Sequence, residues 1–205
     1  MLSGFAYGNR VESVMGSNGV NDTQPVIYTI GHSSRSIGEF LGLLRENGIT
    51  LVVDVRRYPS SRKFPHFNRP ELERILSENG IKYLWRGEVM GGRLGRPSPD
   101  SPNLGLRSPG FRAYADRMLT DEFQAALREI LSLAERERVA LMCAEALYFR
   151  CHRFLISDAL TSLGAEVIHI LGPGQIRRHK LTKIARIIEP GRVIYPAPEE
   201  DRGSC

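Results

Sequence analysis

The sequence predicts a single α/β domain of three layers, in which helices cover both faces of a mostly parallel β-sheet. Short apolar runs rich in β-branched residues alternate along the chain with segments whose apolar residues recur at helical spacing. This alternation is typical of βαβ units, whose strands run parallel. In addition, the strand candidates at 51–55 and 139–142 are almost entirely apolar, which favours strands buried on both faces.

Five strands are predicted from the points where apolar runs give way to polar or glycine-containing turns. Their last residues are His32, Asp54, Leu84, Cys143 and Leu171. Helices are predicted at 36–46, 70–78, 111–119, 121–136 and 154–163. The first of them starts with the capping-box spacing of Ser36 and Glu39. The run from Val193 to Tyr195 is predicted to add an edge strand.

Three further segments lack a pattern of regular structure. Residues 86–110 are rich in glycine, proline and arginine, and an insert of this length predicts a functional lid near the site. Residues 1–24 and 196–205 are predicted to be a flexible extension and a flexible tail. The folded domain is therefore expected to span residues 25–195.

Composition favours an acidic partner. The 205 residues carry a formal charge of +5, and Arg56 to Arg112 holds twelve Lys/Arg against five Asp/Glu. Such a bias predicts binding to nucleic acid or to a phosphorylated small molecule, although scattered surface charges that serve solubility are the alternative. Three cysteines and the lack of a long apolar run predict a cytoplasmic protein that does not enter a membrane. The sequence does not determine the oligomeric state.

The candidate site centres on the stretch from Leu141 to Arg153. It combines a thiol, a carboxylate, an imidazole and guanidinium groups within eleven residues, at a predicted turn from strand to helix. In open α/β sheets this edge is where ligands bind. The candidate catalytic residues are Glu145, Asp54, His32, His152 and Cys143. The candidate substrate-binding residues are Arg56, Arg93, Arg150, Arg153 and Tyr148.

Several of these residues have a structural alternative. Asp54 interrupts an apolar strand, so it is either an active-site carboxylate or a structural one that accepts backbone N–H groups and pairs with Arg56. Tyr148 and Phe149 either stack on an extruded base or pack under the loop. Cys143 is either a nucleophile, with a pKa lowered by a helix N-terminus and an arginine, or a small buried apolar residue.

No metal or cofactor is predicted. Cys143, Cys151, His152 and His32 have ligand chemistry, but the side chains of the adjacent Cys151 and His152 are expected to diverge by about 100° on a helix. The chain also lacks the phosphate loop of nucleotide hydrolases and the serine elbow of α/β-hydrolases.

Five ordered motifs carry a family resemblance. They are Tyr28-Thr-Ile-Gly-His32-Ser, Val53-Asp54-Val-Arg56, Gly91-Gly-Arg93, Cys143-Ala-Glu145 and Cys151-His-Arg153. Over residues 26–170 the chain resembles the DUF488 family, a resemblance that implies no reaction. The layout is also loosely similar to that of rhodanese domains, which implies sulfur transfer, but the loop after Cys143 lacks the glycine-rich character of a rhodanese anion cradle.

The leading hypothesis is an intracellular enzyme that acts on nucleic acid or a nucleotide, with a hydrolytic, base-removing repair activity. Glu145 and Asp54 would act as its carboxylates, and the arginines would hold a phosphate. One alternative is a sulfurtransferase that uses Cys143. The other is a non-catalytic module that binds nucleic acid.

Overall fold

A computed structural model describes residues 24–198, and they form an α/β fold with a six-stranded sheet and a small hairpin. The predicted extension at 1–24 and tail at 196–205 lie almost wholly outside the described residues, so both stay predictions. No helix between residues 24 and 198 combines the length and the apolar character needed to cross a membrane.

The elements follow one another as the sequence pattern predicts. The strands are β1 Val26–Gly31, β2 Leu51–Asp54, β3 Lys82–Trp85, β4 Val139–Cys143, β5 Glu166–Gly172, β6 Gln175–Arg178, β7 Arg186–Glu189 and β8 Arg192–Ile194. The helices are α1 Ile37–Glu46, α2 Arg69–Glu78, α3 Gly87–Met90, α4 Pro109–Met118, α5 Asp121–Ala134 and α6 Arg153–Ser162. Two 3₁₀ turns cover Pro65–Phe67 and Tyr148–Arg150.

The main sheet has the strand order β3-β2-β4-β1-β5-β6. The first five strands of the chain run parallel, and β6 pairs antiparallel with β5. The predicted mostly parallel sheet is therefore confirmed, and each of the five predicted strands ends within one residue of its predicted end. The prediction succeeds because buried parallel strands are apolar throughout and stop where polar residues begin.

Two details of the sheet differ from the predictions. The expectation that 193–195 adds an edge strand to the main sheet is wrong, because β8 pairs only with β7 in a separate two-stranded sheet. Strand β6 was not predicted, since Gln175 to Arg178 is exposed throughout and shows no apolar alternation. Strand β6 is held by backbone hydrogen bonds to β5. Such bonds do not require a pattern of apolar side chains, so the sequence does not reveal them.

The core is divided between the two faces of the sheet. On one face, Phe40, Leu44, Leu72 and Leu76 of α1 and α2 are fully buried against apolar residues of the strands. On the other face, α4, α5 and α6 contribute a second cluster that includes Tyr114, Phe123, Leu127, Leu155 and Leu160. Helices cover both faces of the sheet, so a site can form at the ends of the strands.

The insert at 86–110 is fastened to the domain after the short helix α3. The Asp116 carboxylate on α4 accepts hydrogen bonds from the Ser98 amide at 2.9 Å, the Ser101 hydroxyl at 2.5 Å and the Asn103 amide at 2.8 Å. The amide of Gly105 donates to the Tyr195 carbonyl at 2.9 Å. Hydrogen bonds therefore attach the second half of the insert to α4 and to the C-terminal segment.

Helix α1 begins with the predicted capping box, and this gives a test of the fold. The Ser36 hydroxyl accepts from the Glu39 amide at 3.2 Å, and the Glu39 carboxylate accepts from the Ser36 amide at 2.7 Å. We expect Ser36→Ala to lower the free energy of unfolding by about 1 kcal/mol, because it removes the hydroxyl that accepts from the Glu39 amide in the first turn. Urea denaturation measures the change. Ser60→Ala, at an exposed loop serine, serves as the control, and an equal loss in both variants would contradict the capping role.

Candidate active site

The carboxyl ends of three adjacent strands meet at one edge of the sheet. In the register of the parallel pairs, Gly31 is the partner of Cys143, and Asp54 is the partner of Met142. His32, which follows Gly31, is held there by a hydrogen bond from its amide to the Cys143 carbonyl at 2.9 Å. The predicted residues His32, Asp54 and Cys143 therefore lie on the same edge, as parallel pairing requires.

Asp54 makes the contacts of its structural alternative, and a catalytic role for it stays a prediction. It is fully buried, and its carboxylate accepts from the Arg56 amide at 2.9 Å and from the Arg56 guanidinium at 2.6–3.1 Å. The Tyr83 hydroxyl donates to the same carboxylate at 2.8 Å. Burial and the nearby Asp54 charge raise the pKa of Tyr83, so its hydroxyl stays protonated and able to donate. These bonds use the acceptor positions of the carboxylate.

Arg56 in turn orients His32. One guanidinium nitrogen of Arg56 lies 3.2 Å from His32 Nε2, and His32 Nδ1 lies 2.9 Å from the Ser33 carbonyl. Since a carbonyl only accepts, Nδ1 carries the proton and Nε2 accepts from Arg56. The imidazole also stacks on Phe67, with ring centres 4.1 Å apart. Burial, followed by the charge of Arg56, lowers the pKa of His32 to about 4. His32 is therefore neutral near pH 7, and both ring nitrogens have protein partners.

The central cluster consists of Cys143, Cys151 and His152. One sulfur or ring-nitrogen atom from each residue lies within 4.8 Å of the others. Both thiols are free and buried, at 6% and 3% exposure for Cys143 and Cys151. His152 Nε2 lies 3.0 Å from the Val55 carbonyl, so Nε2 carries a proton and Nδ1 faces Cys151 Sγ at 3.6 Å.

The Arg153 side chain is a buried cation in contact with the cysteine cluster. Only 1% of its side chain is exposed. Its Nε donates to Cys151 Sγ at 3.5 Å, and its Nη2 donates to the Glu145 carbonyl. Within residues 24–198 no carboxylate forms an ion pair with Arg153, although buried guanidinium groups ordinarily need an anionic partner. The Cys151 sulfur, in contact with Nε, is a group that can supply a negative charge.

The two thiols differ in acidity. The hydrogen bond with the Cys143 thiol lowers the pKa of Cys151 well below the ordinary value, and His152 and Arg153 lower it further against the opposing effect of burial. The same hydrogen bond, together with burial, raises the pKa of Cys143. Within this coupled pair, Cys151 is therefore the more acidic thiol and Cys143 the less acidic one.

The three side chains could also hold a metal ion. The expectation that Cys151 and His152 diverge on a helix is wrong, because α6 begins only at Arg153 and both residues precede it. Two sulfurs and one imidazole nitrogen form a ligand set that suits zinc and other borderline or soft metals. The bond from His152 Nε2 to a backbone carbonyl is also the outer contact that metal-bound histidines usually make.

Several predicted residues lie outside this cluster. Glu145 is exposed and contributes backbone groups to the cluster, its carbonyl to Arg153 and its amide to Cys143. Arg93 and Arg150 are also exposed. Tyr148 stacks on the buried ring of His169, with centres 3.5 Å apart and planes 10° from parallel, so its packing alternative is the one observed. Catalytic or substrate-binding roles for Glu145, Arg93 and Arg150 stay predictions.

Three participants were not among the predicted site residues. Cys151 was considered only as a metal ligand. Tyr114 on α4 is buried with its ring 4.9 Å from that of His152, and its hydroxyl donates to the Met90 carbonyl at 2.6 Å. A Cβ atom at Gly92 would lie 3.0 Å from His152 Nδ1, so this glycine allows the insert to approach the imidazole closely. Only the Gly91-Gly92 pair offered a signal in the sequence, as the mark of a close approach.

The Asp54–Arg56 pair gives a prediction on stability. We expect Asp54→Asn to lower the free energy of unfolding by about 3–5 kcal/mol, because it leaves the buried Arg56 charge uncompensated. Glu71→Gln is the matched control, since it removes one carboxylate charge from the exposed pair with Arg74 and should cost less than about 1 kcal/mol. Urea denaturation of both variants decides the point, and equal effects would argue against a buried ion pair.

The acidity of Cys151 gives a prediction on reactivity. Because its pKa is lowered, Cys151 should react with iodoacetamide down to a pH well below the pKa of about 8.5 of a free cysteine. Arg153→Met should move the midpoint of the rate profile upward, since it removes the neighbouring cation. The control Arg150→Met removes an exposed arginine and should leave the profile unchanged. Peptide mapping by mass spectrometry follows each cysteine separately, and a wild-type midpoint near that of free cysteine would refute the assignment.

Comparison with known proteins gives one match. The family model described as "Domain of unknown function DUF488" matches residues 36–160, which is more than half of the chain and includes Asp54, Arg56, Cys143, Cys151, His152 and Arg153. No curated protein and no solved structure matches the chain. The family resemblance noted in the sequence is therefore confirmed, and the chain belongs to the DUF488 family.

Proposed function

We propose that the protein is a thiol-dependent enzyme that transfers sulfur through Cys151. The observation that carries this proposal is the contact of Cys151 Sγ with the buried Arg153 guanidinium at 3.5 Å, in a place where no carboxylate pairs with that cation. A guanidinium N–H beside a sulfur stabilises a thiolate, and the thiolate is the nucleophilic form of cysteine. His152 Nδ1, at 3.6 Å from the same sulfur, can serve as the proton acceptor.

The reaction would proceed in two steps. The Cys151 thiolate attacks the outer sulfur of a donor R–S–SH, a new S–S bond forms on Cys151, and the S–S bond of the donor breaks to release R–S⁻. A nucleophilic acceptor then takes the outer sulfur from the Cys151 persulfide and regenerates the thiolate. In the absence of an acceptor, the Cys143 thiol can attack the persulfide, which gives a Cys143–Cys151 disulfide and releases H₂S. The cytoplasm, as a reducing compartment, would keep both thiols ready.

The proposal assigns the nucleophile to Cys151 and a supporting role to Cys143. The sequence alone suggested Cys143, because it ends a strand as the rhodanese cysteine does. Of the two sulfurs, only Cys151 Sγ is contacted by both His152 and the Arg153 N–H. Cys143, with its raised pKa, holds the proton that hydrogen-bonds to the Cys151 thiolate.

The hydrolytic hypothesis receives less support from the same contacts. The Asp54 carboxylate is buried and bound by Arg56 and Tyr83, so it has no lone pair directed at a water molecule. Glu145 is exposed beside the thiols, but its carboxylate forms no hydrogen bond or ion pair with the residues of 24–198. Without an orienting partner, that carboxylate is less well placed than the Cys151 thiolate.

A metal centre is the second candidate for the same residues. The observation that favours it is the Cys-Cys-His ligand set with the outer hydrogen bond from His152 to Val55. A zinc ion held by three protein ligands keeps one position for water and would support hydrolysis. The buried Arg153 cation favours the thiol proposal, because one thiolate and one guanidinium already balance in charge.

The sulfur-transfer proposal predicts a persulfide on Cys151. Protein incubated with glutathione persulfide and then alkylated should gain the mass of one sulfur atom on the peptide that contains Cys151. Cys151→Ser should abolish this gain, whereas Cys143→Ser should retain the persulfide and lose the disulfide that follows. Glu145→Gln should behave as wild type. Absence of added sulfur on Cys151 in the Cys143→Ser variant, in which the disulfide cannot form, would overturn the proposal, and so would added sulfur on Cys143 in wild type.

The metal content of the protein distinguishes the metal alternative from sulfur transfer. Elemental analysis of the purified protein before and after chelator treatment gives the zinc content per chain. Two results together would favour metal-assisted chemistry over sulfur transfer. The first is one equivalent of zinc per chain that is lost in both cysteine variants and in His152→Ala. The second is that the metal-free protein forms no persulfide. Persulfide formation in protein that holds no metal would support the thiol proposal.

A further inference from the structure

The loops around the thiols share one edge of the sheet. Strands β1 to β4 run parallel, so the segments that follow β2, β3 and β4 all leave from their carboxyl ends. We define the rim as residues 55–69, 91–100 and 144–150, one segment after each of these strands. The candidate active site lies at the base of this rim, because Cys143 is the last residue of β4.

Two glycines show that the rim segments meet. A Cβ atom at Gly91 would lie 2.6 Å from the Cα atom of Arg57, and a Cβ atom at Gly92 would lie 3.0 Å from His152 Nδ1. The segment after β3 therefore touches the segment after β2 with one residue and the cysteine cluster with the next. A molecule that binds across the rim is thus brought to the site.

The rim carries two exposed aromatic side chains. Tyr58, after β2, is 62% exposed, and Phe149, after β4, is 46% exposed. The other large apolar side chains that are exposed within residues 24–198 are all aliphatic, and five of the seven lie at 176–188. Strands β2 and β4 are neighbours in the sheet, so the two aromatic residues leave from adjacent strands. Exposed rings near a site are platforms on which nucleobases stack.

The charge of the rim is strongly positive. Its three segments contain eight Lys/Arg and two Asp/Glu. Six of the cations are exposed and form no ion pair with any residue of the described chain: Arg62, Lys63, Arg69, Arg93, Arg96 and Arg150. Exposed cations that lack an acidic partner are available to phosphate groups. Cations interleaved with aromatic rings match the two parts of a nucleic acid strand, its backbone and its bases.

We propose that the rim binds a single strand of nucleic acid, with Tyr58 and Phe149 as stacking platforms and the exposed cations as phosphate contacts. A single strand fits better than a duplex, because only unpaired bases offer their faces to aromatic side chains. This binding site goes beyond the proposed function, since it holds whether or not Cys151 reacts. If both proposals are correct, the strand would present the group that exchanges sulfur with Cys151.

Fluorescence anisotropy with labelled oligonucleotides of about 20 nucleotides tests the site, a length that exceeds typical single-strand sites. Single-stranded DNA and RNA and the matching duplex are the three probes. We expect binding of at least one single strand that is tighter than that of the duplex and weakens with salt. Tyr58→Ala combined with Phe149→Ala should weaken it by about tenfold or more. Ile187→Ala with Ile188→Ala, which removes two exposed aliphatic residues outside the rim, should have no such effect.

The charge contribution is tested in the same assay. Arg62→Ala with Lys63→Ala should reduce the slope of log K against log salt by about 1.4, at about 0.7 per phosphate contact on a single strand. Lys180→Ala with Lys183→Ala removes the same charge outside the rim and should leave the slope unchanged. No binding at low salt, equal affinity for the duplex, or equal losses in rim and control variants would overturn the proposal. Cys151→Ser should bind as wild type does, so a failure of sulfur transfer leaves this result intact.

Discussion

The arrangement of this protein depends on two buried guanidinium groups at one edge of a parallel sheet. Arg56 and Arg153 are both removed from water, and each must be compensated inside the protein. Arg56 is compensated by the Asp54 carboxylate, and the pair holds His32 and Tyr83 in place. Among residues 24–198, Arg153 donates to a carbonyl and to a sulfur and pairs with no carboxylate. The two arginines thus divide the site into a part whose charge is balanced by a carboxylate and a part in which a buried cation lies beside a thiol.

This division agrees with the order of the motifs along the chain. The carboxylate and its arginine come from β2 and the residue two positions later. Cys143 ends β4, Cys151 follows the second 3₁₀ turn, and Arg153 begins α6. Parallel pairing of β2 with β4 is what brings the two halves together. Backbone pairing of the strands thus brings the two halves of the site together, and the side chains determine how charge is distributed between them. The contacts around the Cys151 sulfur are therefore made within the chain itself.

Much of the fold could be predicted from the sequence, and the reasons are local. The strands from Val26 to Leu171 are marked by apolar runs, and Ser36 with Glu39 marks the start of α1. Strands β6 and β7 could not be predicted, because they are exposed and are held by backbone hydrogen bonds. Strand β8 was marked by the apolar run that begins at Val193, but its pairing with β7 rather than with the main sheet was not. Prediction of the site was less complete. The residues that gather at the sheet edge were identified, but the sequence could not show that His152 precedes the first turn of α6 and faces back to Cys151.

The hydrogen bonds that hold the insert at 86–110 against α4 affect how a molecule could reach the buried thiols. Asp116 binds residues 98–103 to α4, and Tyr114 on the same helix contacts both the Met90 carbonyl and the ring of His152. The insert, α4 and the imidazole are therefore mechanically connected. Under the proposed function, a reactant that reaches the buried Cys151 must displace this connected unit rather than swing aside a single loop. Collective displacements of this kind belong to the microsecond-to-millisecond range, so in that case admission of the reactant, and not only the exchange of bonds, can limit the rate of turnover.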